Sequence, residues 1–246
     1  MADRIEVKGI VMASSPIGEN NKRIVILTKE LGKISAFAQG ARRPGNHLSA
    51  AGETFAMGVF YLVAGRNSYN LVGADIKEYF RELTGDLRDT YSACYFLELA
   101  DYFTAEGMDC TDILNLLYVS FKALLAGEMD REAVRYVYEL KLLAINGEYP
   151  DFFSCRSCGT GENLTAFSMG RHGMVCRACS GIHKDALPVG PRTLSILQQV
   201  IRSRLSVLFS LKCGENELAE LRMIMNRCMN TYVDKRMNSL DILNSL

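Results

Sequence analysis

Cysteine is the residue type whose spacing in this chain points most directly to chemistry. Cys155 and Cys158 form one Cys-x-x-Cys pair and Cys176 and Cys179 a second, with seventeen residues between them. Each pair sets two thiolates on one side of a tight turn. Two such turns at this separation supply four sulfurs at the corners of a tetrahedron, about 2.3 Å from a central ion. The pattern predicts one structural zinc ion held by all four. Four ligands close the site, so no open position is implied for a catalytic role. His172 and His183 are near in sequence, but the cysteines already complete the set. Arg156 and Arg177, each one residue beyond a ligand, are placed to offset the charge of four thiolates on a divalent ion. A redox dithiol is the competing chemistry; two pairs without a thioredoxin-like βαβ context argue against it. The other cysteines, Cys94, Cys110, Cys213 and Cys228, are scattered, and Cys94 and Cys228 fall on apolar stripes as small core residues.

No other pattern assembles a reaction. The chain has no phosphate-binding Gly-x4-Gly-Lys-Ser/Thr loop, no Gly-x-Gly-x-x-Gly, no nucleophile elbow and no His-Glu-x-x-His, and only three histidines. Asp101, Glu106 and Asp109 form an acidic run expected to be a solvated face at a helix end. No catalytic residue is predicted, and the chain reads as a binding protein and not an enzyme.

A binding surface is suggested by Lys33–Gln39. Ile34, Ala36 and Ala38 share one side of that strand and suit a barrel interior, which leaves Phe37 outside beside Lys33. An exposed ring among Lys22, Arg23, Lys29, Lys33, Arg42 and Arg43 is what single-strand binding uses, bases stacking on the ring and cations following the phosphates. The alternative packs Phe37 under a neighbouring helix and leaves the charges as ordinary surface.

The elements that must carry these residues fall into two kinds. Up to about residue 75, five runs alternate as β-strands: Ile5–Val11, Arg23–Thr28, Lys33–Gly40, Phe55–Val63 and Tyr69–Ala74. Glu30–Lys33 reads as a hairpin with Gly32 at its turn, whereas Ser14–Asn21 and Ala41–Glu53 read as longer connectors, the second an exposed basic loop. Five short strands fit a small OB-fold barrel. Beyond it, helical stripes are read at Tyr91/Cys94/Tyr95/Leu99, at Leu114/Leu117/Phe121/Leu125 after a Thr111 cap, and at Val134/Tyr138/Leu142/Ile145 after Asp130. Two more follow the cysteines, at Leu194/Leu197/Ile201/Leu205 after Gly190-Pro191, and at Leu218/Leu221/Met225/Cys228/Tyr232. The fold class expected is α+β and multidomain: an OB-fold barrel over 1–80, then an all-helical domain over 81–246 interrupted by a zinc module at about 151–185.

The 246 residues carry a formal net charge of zero, but unevenly. Residues 1–79 hold ten Lys/Arg against seven Asp/Glu, residues 80–150 six against thirteen, and residues 151–246 twelve against eight. An acidic middle between two basic ends suggests surfaces meant for different partners, the alternative being that helix-rich segments simply carry more Asp and Glu on solvated faces. No apolar stretch approaches the roughly 20 residues of a membrane-spanning helix, and the N-terminus has no secretory h-region. The expected compartment is the cytoplasm, where thiols stay reduced.

Several stretches together resemble the bacterial DNA repair and recombination family RecO. They are Gly18-Glu19, Ile24–Thr28, Gly32-Lys33 and Gly40–Arg43; then Tyr95–Leu99; and finally Glu139–Leu143 with Gly147, Pro150 and Cys155-x-x-Cys158-Gly159. The resemblance spans nearly the whole chain. It implies an N-terminal OB-fold, a helical domain interrupted by a zinc module, and a nucleoid-associated place in the bacterial cytoplasm. It also implies binding of single- and double-stranded DNA, annealing of complementary strands, and loading of RecA, together with RecR, onto DNA coated by single-strand binding protein. The acidic C-terminal tail of that protein is the expected docking partner of the helical domain. The family's basic surface carries over to Arg42 and Arg43 by motif, and to Lys22, Arg23 and Lys33 by position. The alternative reading is a zinc-stabilised protein–protein adaptor that does not touch nucleic acid.

Overall fold

The computed structural model describes residues 4–66 and 68–246. The chain divides into two compact units, Met1–Phe121 with Met237–Leu246, and Lys122–Arg236.

The first unit is built on a closed barrel. β1 (Arg4–Ile17), β2 (Asn21–Thr28), β3 (Gly32–Ala38), the short helix α1 (Leu48–Ala51), β4 (Met57–Ala64) and β5 (Tyr69–Glu78) follow in chain order. The strands close as β1-β2-β3-β5-β4 and back to β1, with β3 and β5 parallel and every other pair antiparallel. This is the OB-like barrel the alternation predicts. Ile24 and Ile26 of β2, Ile34, Ala36 and Ala38 of β3, Phe60 and Leu62 of β4 and Leu71 of β5 fill the interior. The connector expected over Ser14–Asn21 is instead a tight hairpin, because β1 runs on to Ile17. β1 pairs with β4 through its first half and with β2 through its second. A bulge between Val11 and Ala13 bends it around the barrel, something no local alternation encodes.

Two helices follow, α2 (Leu87–Phe103) and α3 (Thr111–Ala126). Asp86 caps α2, its carboxylate accepting the N–H groups of Arg88 and Asp89. The expected single stripe of α2 is too narrow: Ser92, Ala93, Phe96, Leu97 and Ala100 are buried beside Tyr95 and Leu99, while Tyr91 and Cys94 are only half-buried. At the start of α3 Thr111 lies inside the helix, and Asp109 accepts from its N–H and hydroxyl. The strand expected from Phe55 begins at Met57. Phe55 sits at φ 71° and Phe80 at φ 49°, and both rings meet Phe121 edge-on, at 5.7 and 5.2 Å. Packing of those rings offsets the strain of two left-handed non-glycine residues.

The second unit centres on α4 (Arg131–Ile145), started by Asp130, which accepts the N–H groups of Glu132 and Ala133. Its residues 133–140, together with Leu142 and Leu143, are buried. Next come β6 (Leu164–Ser168), β7 (Gly173–Cys176), α5 (Arg177–Ser180) and β8 (Leu187–Pro188), forming a three-stranded sheet in the order β7-β6-β8 with one helical turn. α6 (Pro191–Arg202) and α7 (Glu215–Tyr232) then pack on α4. α6 buries Thr193, Ile196, Leu197 and Val200, a face that keeps Leu197 of the expected stripe but leaves Leu194 and Ile201 half-buried. The helix also stops before Leu205, because the Lys141 ammonium takes the carbonyls of Val200, Ile201 and Ser203. On α7 the buried face is Glu217, Leu221, Ile224, Met225 and Cys228. The last helix, α8 (Asn238–Leu243), belongs to the first unit and packs on α2. Among the described residues no helix is long and apolar enough to cross a membrane.

Candidate metal centre and nucleic-acid interface

The four cysteines predicted as ligands converge. Cys155 and Cys158 lie on the turn after Asp151, Cys176 ends β7, and Cys179 is in α5. All four sulfurs fall within 4.8 Å of one another, and those of Cys158 and Cys176 are 3.7 Å apart. A tetrahedron with bonds of about 2.3 Å has edges of about 3.8 Å, so the cluster has the dimensions of a four-coordinate metal site. The local chain holds this shape. Asp151 accepts the N–H groups of Phe153 and Ser154, and the Cys155 N–H donates to the Thr160 carbonyl at 2.7 Å. The Arg156 N–H donates to Met174 of β7.

Burial alone would raise the Cys155 thiol, but the N–H groups of Cys176, Ser157 and Cys158 outweigh it and bring the thiol to about 6. Cys179 is pushed up to about 12, first by the neighbouring Cys176 sulfur and then by burial. One thiolate therefore forms readily, while four together require a cation among them. His172 and His183 stand outside the cluster. The His183 Nε2 is 2.7 Å from the Ser157 hydroxyl, and the His172 ring centre is 6.5 Å from that of Tyr232. Arg156 approaches Asp151 at 3.9 Å, so its charge is shared with a carboxylate.

On the barrel, Arg23 lies opposite Phe37 in the β2–β3 ladder, and Phe37 opposite Asn70 in the β3–β5 ladder. Opposed residues share a side of the sheet, so these three stand together on the outer face, with Ser15 and Val63 flanking them. Arg23 is exposed, its Nε donating to the Ser35 hydroxyl at 2.8 Å, and Phe37 is half-buried. Arg42 and Arg43 are exposed in the loop after β3, at the same end of the barrel. Arg42 clasps the β1–β2 hairpin through the carbonyls of Gly18 and Glu19.

The other two predicted cations are placed differently. Lys22 is opposite Ala38, whose side chain is interior, and its ammonium reaches the Ser49 carbonyl of α1. Lys33 shares the outer side of β3 but is bound to Asp101, 2.9 Å from the carboxylate. The acidic run is thus not merely solvated: Asp101 pairs with Lys33, Glu106 accepts from the Tyr69 hydroxyl, and Asp109 caps α3. Asn70 has no local signal in the sequence, because the parallel β3–β5 pairing that brings it to Phe37 joins runs separated by more than thirty residues.

Comparison with known proteins agrees with both halves of this architecture. Residues 1–80 match the family model described as Recombination protein O N terminal, and residues 84–241 that described as Recombination protein O C terminal. The chain is 30% identical to the DNA repair protein RecO of Alkaliphilus metalliredigens, covering 97% of this chain and 98% of that protein. It is also 30% identical to that of Acetivibrio thermocellus, covering 98% and 97%. With the RecO of Bacillus subtilis it shares 28% identity over 92% of this chain and 88% of that protein. An OB-like barrel followed by helices and a four-cysteine cluster, matched over nearly its full length by both family models, places this chain in the RecO family of DNA repair proteins.

Proposed function

We propose that the chain is a non-catalytic mediator of DNA repair and homologous recombination. In this reading the barrel, residues 1–80, binds single- and double-stranded DNA. The helical remainder, residues 81–246, carries a module at about 151–185 in which Cys155, Cys158, Cys176 and Cys179 hold one structural zinc ion. Four thiolates and no histidine or carboxylate suit a soft divalent ion, and zinc supplies cross-linking there and no reactivity. The chain anneals complementary strands and, with RecR, helps load RecA onto DNA coated by single-strand binding protein, whose C-terminal tail docks on the helical domain. It works in the bacterial cytoplasm, at the nucleoid.

The observation that carries the reading is the grouping of Arg23, Phe37 and Asn70 on one outer face, with Arg42 and Arg43 at its end. A ring for base stacking beside guanidinium groups for phosphates binds without reading sequence. Two strands held by their backbones keep their base edges available for pairing, which is the requirement for annealing. A salt titration with labelled single-stranded DNA tests this, followed by annealing of complementary strands with and without their single-strand binding protein. Affinity should fall steeply with salt, and Arg43→Ala should lower the single-strand salt slope by about 0.7 for all sequences alike. Binding that is absent or indifferent to salt would point to the adaptor reading instead.

A further inference from the structure

We propose that Asp101 withholds Lys33 from nucleic acid, so that the polynucleotide track over β2 and β3 ends short of the β2–β3 hairpin. The inference rests on the binding face proposed above and adds its boundary. Lys33 is on the same side of β3 as Ser35 and Phe37, and by position alone it extends the cationic face. Its ammonium, however, lies 2.9 Å from the Asp101 carboxylate and 2.7 Å from the backbone carbonyl of the same residue. The two side chains are 27% and 38% exposed, open enough for a phosphate to compete for the ammonium and to meet the carboxylate when it does.

The rest of this end of the barrel reinforces the stop. The segment after α2 is laid along the hairpin. Its Ala105 carbonyl accepts the Lys33 N–H, the Gly107 N–H donates to Leu31, and the Cys110 N–H donates to Lys29. That segment brings Glu106 to the Tyr69 hydroxyl and Asp109 within electrostatic reach of Lys29. Lys33 is therefore paired with Asp101 and Lys29 lies within reach of Asp109, with Glu106 on the same segment, while Arg23, Arg42 and Arg43 lie towards the opposite end of the barrel. A phosphate chain is drawn to one end and repelled from the other.

The test is a salt titration of the full chain against a labelled oligothymidine strand, with four variants. Asp101→Asn removes the carboxylate charge and should tighten binding about two- to fivefold, the reach of one exposed ionic contact. It should also steepen the salt slope by about 0.7, one more phosphate neutralised on a single strand. Lys33→Ala should leave affinity and slope at wild-type values, yet cancel the whole gain when combined with Asp101→Asn. Arg43→Ala is the control for the face itself. Wild-type affinity and slope in a folded Asp101→Asn variant overturn the inference. So does a loss in Lys33→Ala equal to that of Arg43→Ala, and this second test stands even where Asp101→Asn fails to fold. If neither the wild type nor any variant binds the strand, the parent reading falls and takes this inference with it. Normal wild-type binding with Arg43→Ala weakened and Asp101→Asn unchanged removes this inference alone.

Discussion

Glu132 shows how much a single residue of this chain can gather. Its carboxylate accepts two bonds from the Arg222 guanidinium of α7, one at 2.5 Å from the buried Tyr136 hydroxyl, and one at 3.3 Å from Arg135, which also donates to that hydroxyl. The Arg222 bonds hold the Glu132 carboxyl below the usual carboxylate range, against burial and with help from Tyr136. Burial and the adjacent Glu132 push the Tyr136 hydroxyl up, so it remains a donor. A depressed acid stabilises the fold fully above its unfolded value, about 4.3, and loses that contribution as pH falls through its lower folded value. The urea midpoint of the second unit should therefore drop on acidification below about pH 4.5, by more in the wild type than in Glu132→Gln. At neutral pH Arg222→Ala should cost about 1–2 kcal/mol, reduced from a buried charge-assisted pair because Arg222 is half-exposed. Arg222→Lys should recover only part, lacking the two-pronged geometry. The Arg222 partner is not legible in the sequence, because ninety residues separate it from Glu132, whereas Tyr136 stands at the local i,i+4 spacing. The cysteines were legible, since the spacing of a thiolate pair is itself the constraint the metal imposes.

At the scale of elements, alternation revealed the five strands and the interior side of β3, while phase and ending were harder to read. Where one helix is buried on several sides, as α2 is, or is halted by a remote side chain, as α6 is, an apolar stripe carries too little information. Lys141 decides the end of α6, and Lys141→Met should release three carbonyls and cost the second unit about 1–2 kcal/mol in urea unfolding. The β2–β3 hairpin turns on Gly32 for two separate reasons. It takes φ 68°, and a Cβ there would stand 2.2 Å from the Ala105 carbonyl oxygen. The sequence indicated the turn but not the backbone lying against it. Gly32→Ala should cost about 2 kcal/mol or more and expose the Lys33 and Gly107 amides to hydrogen exchange. Gly45 has a similar φ of 74° with open space around it, so Gly45→Ala should cost only about 1 kcal/mol and leave those amides protected.

At the scale of the whole molecule, the two units depend on different forces, and removing the metal should separate them. The barrel closes on its own ladder and encloses an apolar interior, so it needs no cross-link. The cysteine module has little core: Phe152 and Phe167 stacked at 5.8 Å, with Leu164, Ala166, Met174 and Val175 around them. A segment with so few buried side chains and four converging thiols would draw much of its folding free energy from an ion held among them. It is also inserted between α4 and α6, and it is tied to the helices where Gln198 donates to the Phe152 carbonyl and Arg227 to that of Asp185. A strong chelator should therefore remove amide protection across residues 152–188 first and then lower the melting of α4, α6 and α7. Protection in β2 and β3, and binding of single-stranded DNA below that transition, should persist. Loss of DNA binding while the helical unit stays folded would instead give the metal a place in the interface. Acid should reproduce the chelator's effect, because protons compete with the ion for sulfur. Cys158→Ser weakens one ligand at the exposed corner of the cluster, so it should move that release to higher pH and leave the barrel strands as protected as before.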